Sequence, residues 1–281
     1  MKKSLLTIED VEPGIQKVML NVDALPFDEK RREQFEKKLL QFLDSDPVHP
    51  KVICRINNKL VYLTENIIPK KKDKRSPLLL LFGNPASHSV ASRMFFAFEG
   101  GGREHRLWKV LSKAGIFSFS SLCQYDLLKS LNELNQLRKR ELFELSYGTP
   151  FRIGLAVFYT MPTPASRYPW AGVPGLYRLF GKGMLAKIRD CEKERVDGFI
   201  REFAFPDGTV IAFHKEAYQA IKSSESPDYT FAKAKAGHLI GTCQCAPCVT
   251  LLCVPPTRLL LGHLGLLRAF CDRIGRRATS P

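Results

Sequence analysis

Residues 78–116 read LLLLFGNPASHSVASRMFFAFEGGGREHRLWKVLSKAGI. The first six, Leu78 to Gly83, are a short unbroken apolar run. Such a run fits a central parallel strand covered on both faces. Asn84-Pro85 ends it, because proline has no amide hydrogen to continue a ladder. A polar turn follows, then the aromatic cluster Phe95, Phe96 and Phe98, then a glycine-rich basic turn. Arg106 to Ala114 reads as a helix with Gly115 as its C-cap.

Further along, Ile153–Tyr159, Thr209–Phe213 and Val249–Val254 read as three more strands. Between and after them, residues 122–145, 183–191, 216–221 and 259–274 read as helices, and Thr160–Pro174 as a proline-rich loop. Strands alternating with helices predict a three-layer α/β/α domain around a mostly parallel four-stranded sheet. Ligands of such sheets sit at the carboxyl ends of the strands. That places Asn84, His214 and Pro255-Pro256-Thr257 on one rim, since each follows its strand directly.

Residues 1–76 read as an N-terminal extension to a domain at 77–281. Glu29–Leu43 has Phe35, Leu39, Leu40 and Leu43 on one helical face. In KVICRINNKLVYL, two β-rich runs flank Asn57-Asn58, a hairpin signal. Lys70, Lys71, Lys72, Lys74 and Arg75 then form a basic run, read either as a solvated linker or as phosphate contacts.

The chain has 281 residues, is 44% hydrophobic and carries a formal net charge of +15. That composition can bury a core, which excludes a wholly disordered chain. The charge points to a polyanionic partner, nucleic acid or an anionic membrane surface. No stretch reaches the roughly 18 apolar residues of a membrane span. Glu9, Asp10 and Glu12 interrupt the short apolar patch at the start, so no signal-peptide core forms. The expected location is the cytoplasm, with the nucleoid or the nucleus following from a DNA partner. The eight cysteines are then expected as thiols. The final helix, with its leucines and arginines, is expected to pack on the sheet rather than lie on a membrane.

The central segment also carries chemistry. An amide (Asn84), aromatic faces (Phe95, Phe96, Phe98) and cations (Arg93, Arg103, His105, Arg106) are the parts needed to hold an extruded base. The ring stacks, the amide reads an edge, and the cations grip flanking phosphates. Gly83-Asn84-Pro85-Ala86, then Phe96-Ala97, then Arg106-Leu107-Trp108-Lys109, then Phe213-His214-Lys215-Glu216-Ala217-Tyr218 follow one another in that order. In this order and spacing the chain resembles the uracil-DNA glycosylase superfamily, closest to its mismatch-specific uracil/thymine branch. The likeness spans about residues 78–274 in architecture, with specific motifs over only about 40 of them.

The resemblance implies a DNA-repair glycosylase that cleaves the N-glycosidic bond of a flipped uracil or related deaminated base. Asn84 would orient or activate the attacking water, Phe96 would stack on the base, and Gly83 with Pro85 to Ser87 would line its pocket. His214, where the family has glycine, reads from its own chemistry as a proton donor or leaving-group stabiliser. Arg103, Arg106, Lys215, Pro256, Thr257 and Arg258 would contact DNA. Three positions depart from the pattern. Ala86 and His214 replace glycines, and Cys253-Val254-Pro255-Pro256-Thr257-Arg258 lacks the His or Asn of the family's last loop. They favour, as an alternative, a catalytically reduced DNA-binding protein of the same fold.

Other readings are weaker. Ser87-His88-Ser89 lacks a G-x-S-x-G elbow and does not make a serine hydrolase. His214 reads equally as the cap of the helix it precedes. Cys243, Cys245, Cys248 and Cys253 are close enough in sequence to suggest zinc or an iron–sulfur cluster, but free thiols and no cofactor are the expectation.

Overall fold

The computed structural model describes residues 4–100, 102–119, 130–166, 168–257 and 264–278. In chain order the elements are β1 (Leu6–Glu12), β2 (Ile15–Asn21), α1 (Glu29–Asp44), α2 (His49–Val52), β3 (Ile53–Ile56), β4 (Lys59–Ile67) and β5 (Ser76–Phe82). Next come α3 (Ser87–Ala91), α4 (Arg106–Lys113), α5 (Leu131–Glu144), β6 (Phe151–Val157), α6 (Gly172–Phe199) and β7 (Thr209–Ala212). The chain ends with α7 (Lys215–Ile221), α8 (Phe231–Ala236), β8 (Ile240–Cys243), β9 (Ala246–Cys253) and α9 (Leu264–Ala278). The mixed α/β class is as expected, and the sheet is not. Among the described residues there are nine strands rather than four, and antiparallel pairings outnumber parallel ones.

Two compact units interleave along the chain. The first comprises residues 1–66, 83–95 and 157–195; the second comprises 67–82, 96–156 and 196–281.

In the first unit β4 pairs antiparallel with β2 on one side and β3 on the other, and β1 flanks β2. The hairpin at Asn57-Asn58 is present, with Asn57 in the left-handed region at φ 50°. The β1–β2 hairpin escaped the sequence reading for a physical reason. Glu9, Asp10 and Glu12 make β1 look like a polar turn, yet it is a solvent-facing outer strand whose charges stay wet. In β2 buried residues alternate with half-buried ones, as expected of a strand with one face on a core. Helix α1 starts at Asp28, whose carboxylate accepts the Arg31 N–H, and buries Phe35, Leu39 and Phe42. Helix α6 extends well beyond the expected 183–191 and is broken at Gly181, where φ of 74° suits glycine.

In the second unit the strand order is β6-β5-β7-β9-β8. Strands β5, β7 and β9 are parallel, while β8 is an antiparallel outer strand. β8 was not foreseen, because Gly241-Thr242 carries little strand signal. Strands β5, β6 and β7 are buried almost throughout, which explains their mostly apolar composition. Of the helix expected at 122–145, the described part is α5, which opens with a capping box at Ser130 and Glu133. The first residues of the helices expected at 122 and 259 lie outside the described residues. No helix among the described residues is long and apolar enough to cross a membrane.

Candidate functional site

Asn84 lies in the first unit, two residues past the end of β5, and is half-buried. Its amide is held by three acceptors. Nδ2 donates to Thr163 Oγ1 at 2.9 Å, to the Pro85 carbonyl at 3.2 Å and to the Met161 carbonyl at 3.3 Å. Two of these are backbone carbonyls, which only accept, so chemistry fixes which end of the amide is nitrogen. The carbonyl Oδ1 therefore faces the other way and has no donor among the described residues.

Thr163 organises the whole turn. Its N–H donates to the Pro85 carbonyl at 3.1 Å, and its carbonyl accepts from the Ser87 N–H at 2.9 Å. Its hydroxyl accepts the Asn84 amide and also the Gly172 N–H, at 2.8 Å. Thr163 is thus bonded at three points to residues 84–87. Gly83 precedes Asn84, and Pro85, Ala86 and Ser87 follow it in this pinned turn; the Gly83 carbonyl accepts from the Tyr159 N–H at 2.8 Å. The Ser87 hydroxyl is fully buried without a partner among the described residues. The sequence reading missed Thr163, which lies 79 positions from Asn84 in a segment read only as a proline-rich loop.

The other candidate residues belong to the second unit. Phe96 is half-buried with φ 48°, a conformation costing a non-glycine residue about 1–2 kcal/mol. Its surroundings hold it there. The Trp108 indole N–H donates to the Phe96 carbonyl at 3.1 Å, and the Asn135 amide donates to the next carbonyl, Ala97, at 3.0 Å. The Phe96 ring meets Phe82 edge-on at 4.8 Å and the His105 ring at 4.8 Å. Phe82 in turn stacks on Phe213 at 4.9 Å. Arg138, almost fully buried on α5, pairs with Glu104 and lies 4.8 Å over the Trp108 ring.

His214 caps α7, since its Nδ1 accepts the Glu216 N–H at 3.2 Å. The remaining ring proton is therefore on Nε2. Burial holds the imidazole below its ordinary pKa, with Glu216 pulling weakly the other way. Pro255, Pro256 and Thr257 follow β9 as His214 follows β7. The parallel register sets Ala212 beside Cys253, so these two stretches share one end of the second unit's sheet. Pro256 and Thr257 are half-buried there, and Arg258 lies outside the described residues.

The candidate cations differ in availability. Lys215 is exposed, with its ammonium 5.9 Å from the Tyr229 ring, and Arg103 is exposed and donates to the Gly100 carbonyl. The guanidinium of Arg106 instead binds Glu99 at 2.6 Å, and the same carboxylate takes the Arg106 backbone N–H. Arg75, from the basic run, turns inward over the Tyr147 ring and donates to the carbonyls of Leu145 and Tyr147. Lys70, Lys71, Lys72 and Lys74 stay exposed.

No group of three or more His, Cys, Asp or Glu side chains is placed to hold a metal among the described residues. Cys243 and Cys253 are buried thiols whose pKa values burial pushes up. No protein-family model and no curated protein matches the chain.

Proposed function

We propose that this protein binds DNA and hydrolyses the N-glycosidic bond of an extruded uracil or related deaminated base. The orientation of the Asn84 amide carries the reading. Its N–H groups are committed to Thr163, Pro85 and Met161, so Oδ1 is presented as a fixed acceptor. A water donating one proton to Oδ1 has its lone pair aimed by a rigid partner. Asn84 is neutral and cannot remove a proton, so the scheme leans on the leaving group. The C1′–N bond breaks, and its electron pair leaves with the base. The water oxygen bonds to C1′, and its spare proton passes to solvent or to the departing base. His214 in the neutral Nε2–H form is suited to donate a hydrogen bond, without giving up its proton, to the negative charge that develops on that base. Phe96 supplies an aromatic surface. Arg103, Lys215 and the net charge of +15 supply attraction for phosphates.

The test uses end-labelled DNA with one uracil opposite G, opposite A and in a single strand. Cleavage at the resulting abasic site is expected, with Asn84→Ala slower by about 100- to 1,000-fold. Equal cleavage by Asn84→Ala would remove that residue from the mechanism.

One observation favours a second reading, a DNA-binding protein of reduced activity. The loop Val254 to Thr257 carries no His or Asn to support a leaving group. That reading predicts binding whose logarithm falls linearly with the logarithm of salt concentration, without turnover on uracil, hypoxanthine or xanthine DNA.

A further inference from the structure

The first unit contains a buried ion pair that the scheme above does not use. Glu192, on α6, is fully buried, and its Oε2 accepts from Arg195 Nε at 2.8 Å. Such pairs are poor sources of stability, because removing two charges from water offsets their attraction. What this pair does hold is one short piece of backbone. Glu192 Oε1 accepts the Thr160 N–H at 2.7 Å and the Thr160 hydroxyl at 2.5 Å. Arg195 Nη2 donates to the carbonyls of Val157, at 2.6 Å, and Phe158, at 3.0 Å. The Thr160 hydroxyl proton goes to Glu192, so the Tyr62 hydroxyl, 3.0 Å away, donates to Thr160 Oγ1. Burial and the Glu192 charge push the Tyr62 pKa far up, which keeps that proton in place.

The clamped residues, 157–160, run directly into Met161 and Thr163, two of the three acceptors of the Asn84 amide. The adjoining cavity, lined by Tyr62, Tyr159, Met161 and Glu192 among others, measures about 10 Å³. It has room for no more than one water, so the cluster is not a ligand site.

We propose that Glu192 and Arg195 are positioning residues for Asn84, acting through Thr160 and the Met161–Thr163 turn. Its catalytic consequence rests on the glycosylase reading; the positioning itself does not. The ion pair fixes the backbone, the backbone fixes the two acceptors, and the acceptors fix where Oδ1 points.

The experiment reads the Asn84 side chain directly. Full-length protein labelled with ¹⁵N-asparagine gives a side-chain amide signal for Asn84, identified by its loss in Asn84→Ala. Its hydrogen exchange with water is then measured. Glu192→Gln is expected to speed that exchange about tenfold, and Thr160→Val about threefold, as hydrogen bonds to the turn are lost. Thr160→Ser, which keeps the hydroxyl, should exchange at the wild-type rate. Glu36→Gln breaks the Arg55 pair elsewhere in the same unit and should also leave the rate alone. If Glu192→Gln does not fold, Thr160→Val decides. Unchanged exchange in folded Glu192→Gln or in Thr160→Val overturns the proposal, as does an equal increase in Glu36→Gln. Where the wild type cleaves uracil DNA, Glu192→Gln should lower kcat while KM moves less than about twofold. A kcat at the wild-type value would overturn the catalytic part. A wild type that cleaves nothing would sink the glycosylase reading and leave the exchange result to judge the positioning.

Discussion

The two units hold their candidate residues by different forces. In the first, Asn84 is fixed by hydrogen bonds, and the backbone just before two of their acceptors, residues 157–160, is bonded to a buried ion pair. In the second, Phe96 is fixed by rings, Phe82 and Phe213 behind it and His105 beside it, with Trp108 and Asn135 tying down its backbone. Hydrogen bonds are directional, and a group turned by a few tens of degrees loses them. Ring packing is tolerant in angle and costly in volume. The first arrangement suits a group that must point; the second suits a surface that must be present.

This contrast is broken most forcefully from the aromatic side. Phe213 is 2% exposed and stacks on Phe82. Phe213→Ala leaves a cavity behind the strand ends and should cost about 3–5 kcal/mol of stability, read as a fall in denaturation midpoint. A loss under about 1 kcal/mol would mean the ring stack collapses easily and does not support Phe96.

The matching change on the polar side is Thr163→Val. It keeps the shape and removes the hydroxyl that accepts from Asn84 and from the Gly172 N–H. The expected loss is about 1–3 kcal/mol, the range for stranding buried donors. Its effect on Asn84 should exceed its effect on stability. The Asn84 amide keeps only the longer bonds to Pro85 and Met161, so turnover on uracil DNA should fall with little change in KM. Equal falls in the binding of undamaged DNA would point to general loosening instead.

The same contrast explains what was legible in the sequence. Asn84, Phe96 and His214 could be picked out because each sits just after a strand or beside an apolar run, a local signal. Strands β5 and β7 were found for the same reason, being apolar after their first residue. Thr163, Glu192, Arg195 and Arg138 could not be found so. Each acts across a long sequence separation, and charged residues on helices read as solvent-facing. Arg138 is 2% exposed, and nothing in LNELNQLRKRELFE distinguishes it from Arg140, four residues before Glu144. The hairpin of β1 and β2 and the outer strand β8 were missed because outer strands tolerate charge and glycine. Local pattern thus reached the candidate residues and not the groups that hold them.

The smallest expected effect separates the units by pH. Burial lowers the pKa of His214 in the second unit and of His49 in the first. His49 is 0% exposed and bonds the Phe42 carbonyl through Nδ1 at 2.9 Å, with the Asp46 charge opposing the effect of burial. In both cases the unfolded chain binds the proton more readily than the fold does. Stability from these groups is therefore complete above the ordinary histidine range, near pH 6.5, and is lost as pH falls through that value toward the lowered pKa. His214→Asn keeps an acceptor for the Glu216 N–H and removes the titration, so part of the acid sensitivity should vanish while the helix cap survives. His214→Ala removes both and should cost about 1 kcal/mol even at pH 8. If His214→Asn retains the full acid sensitivity, His49 carries it alone.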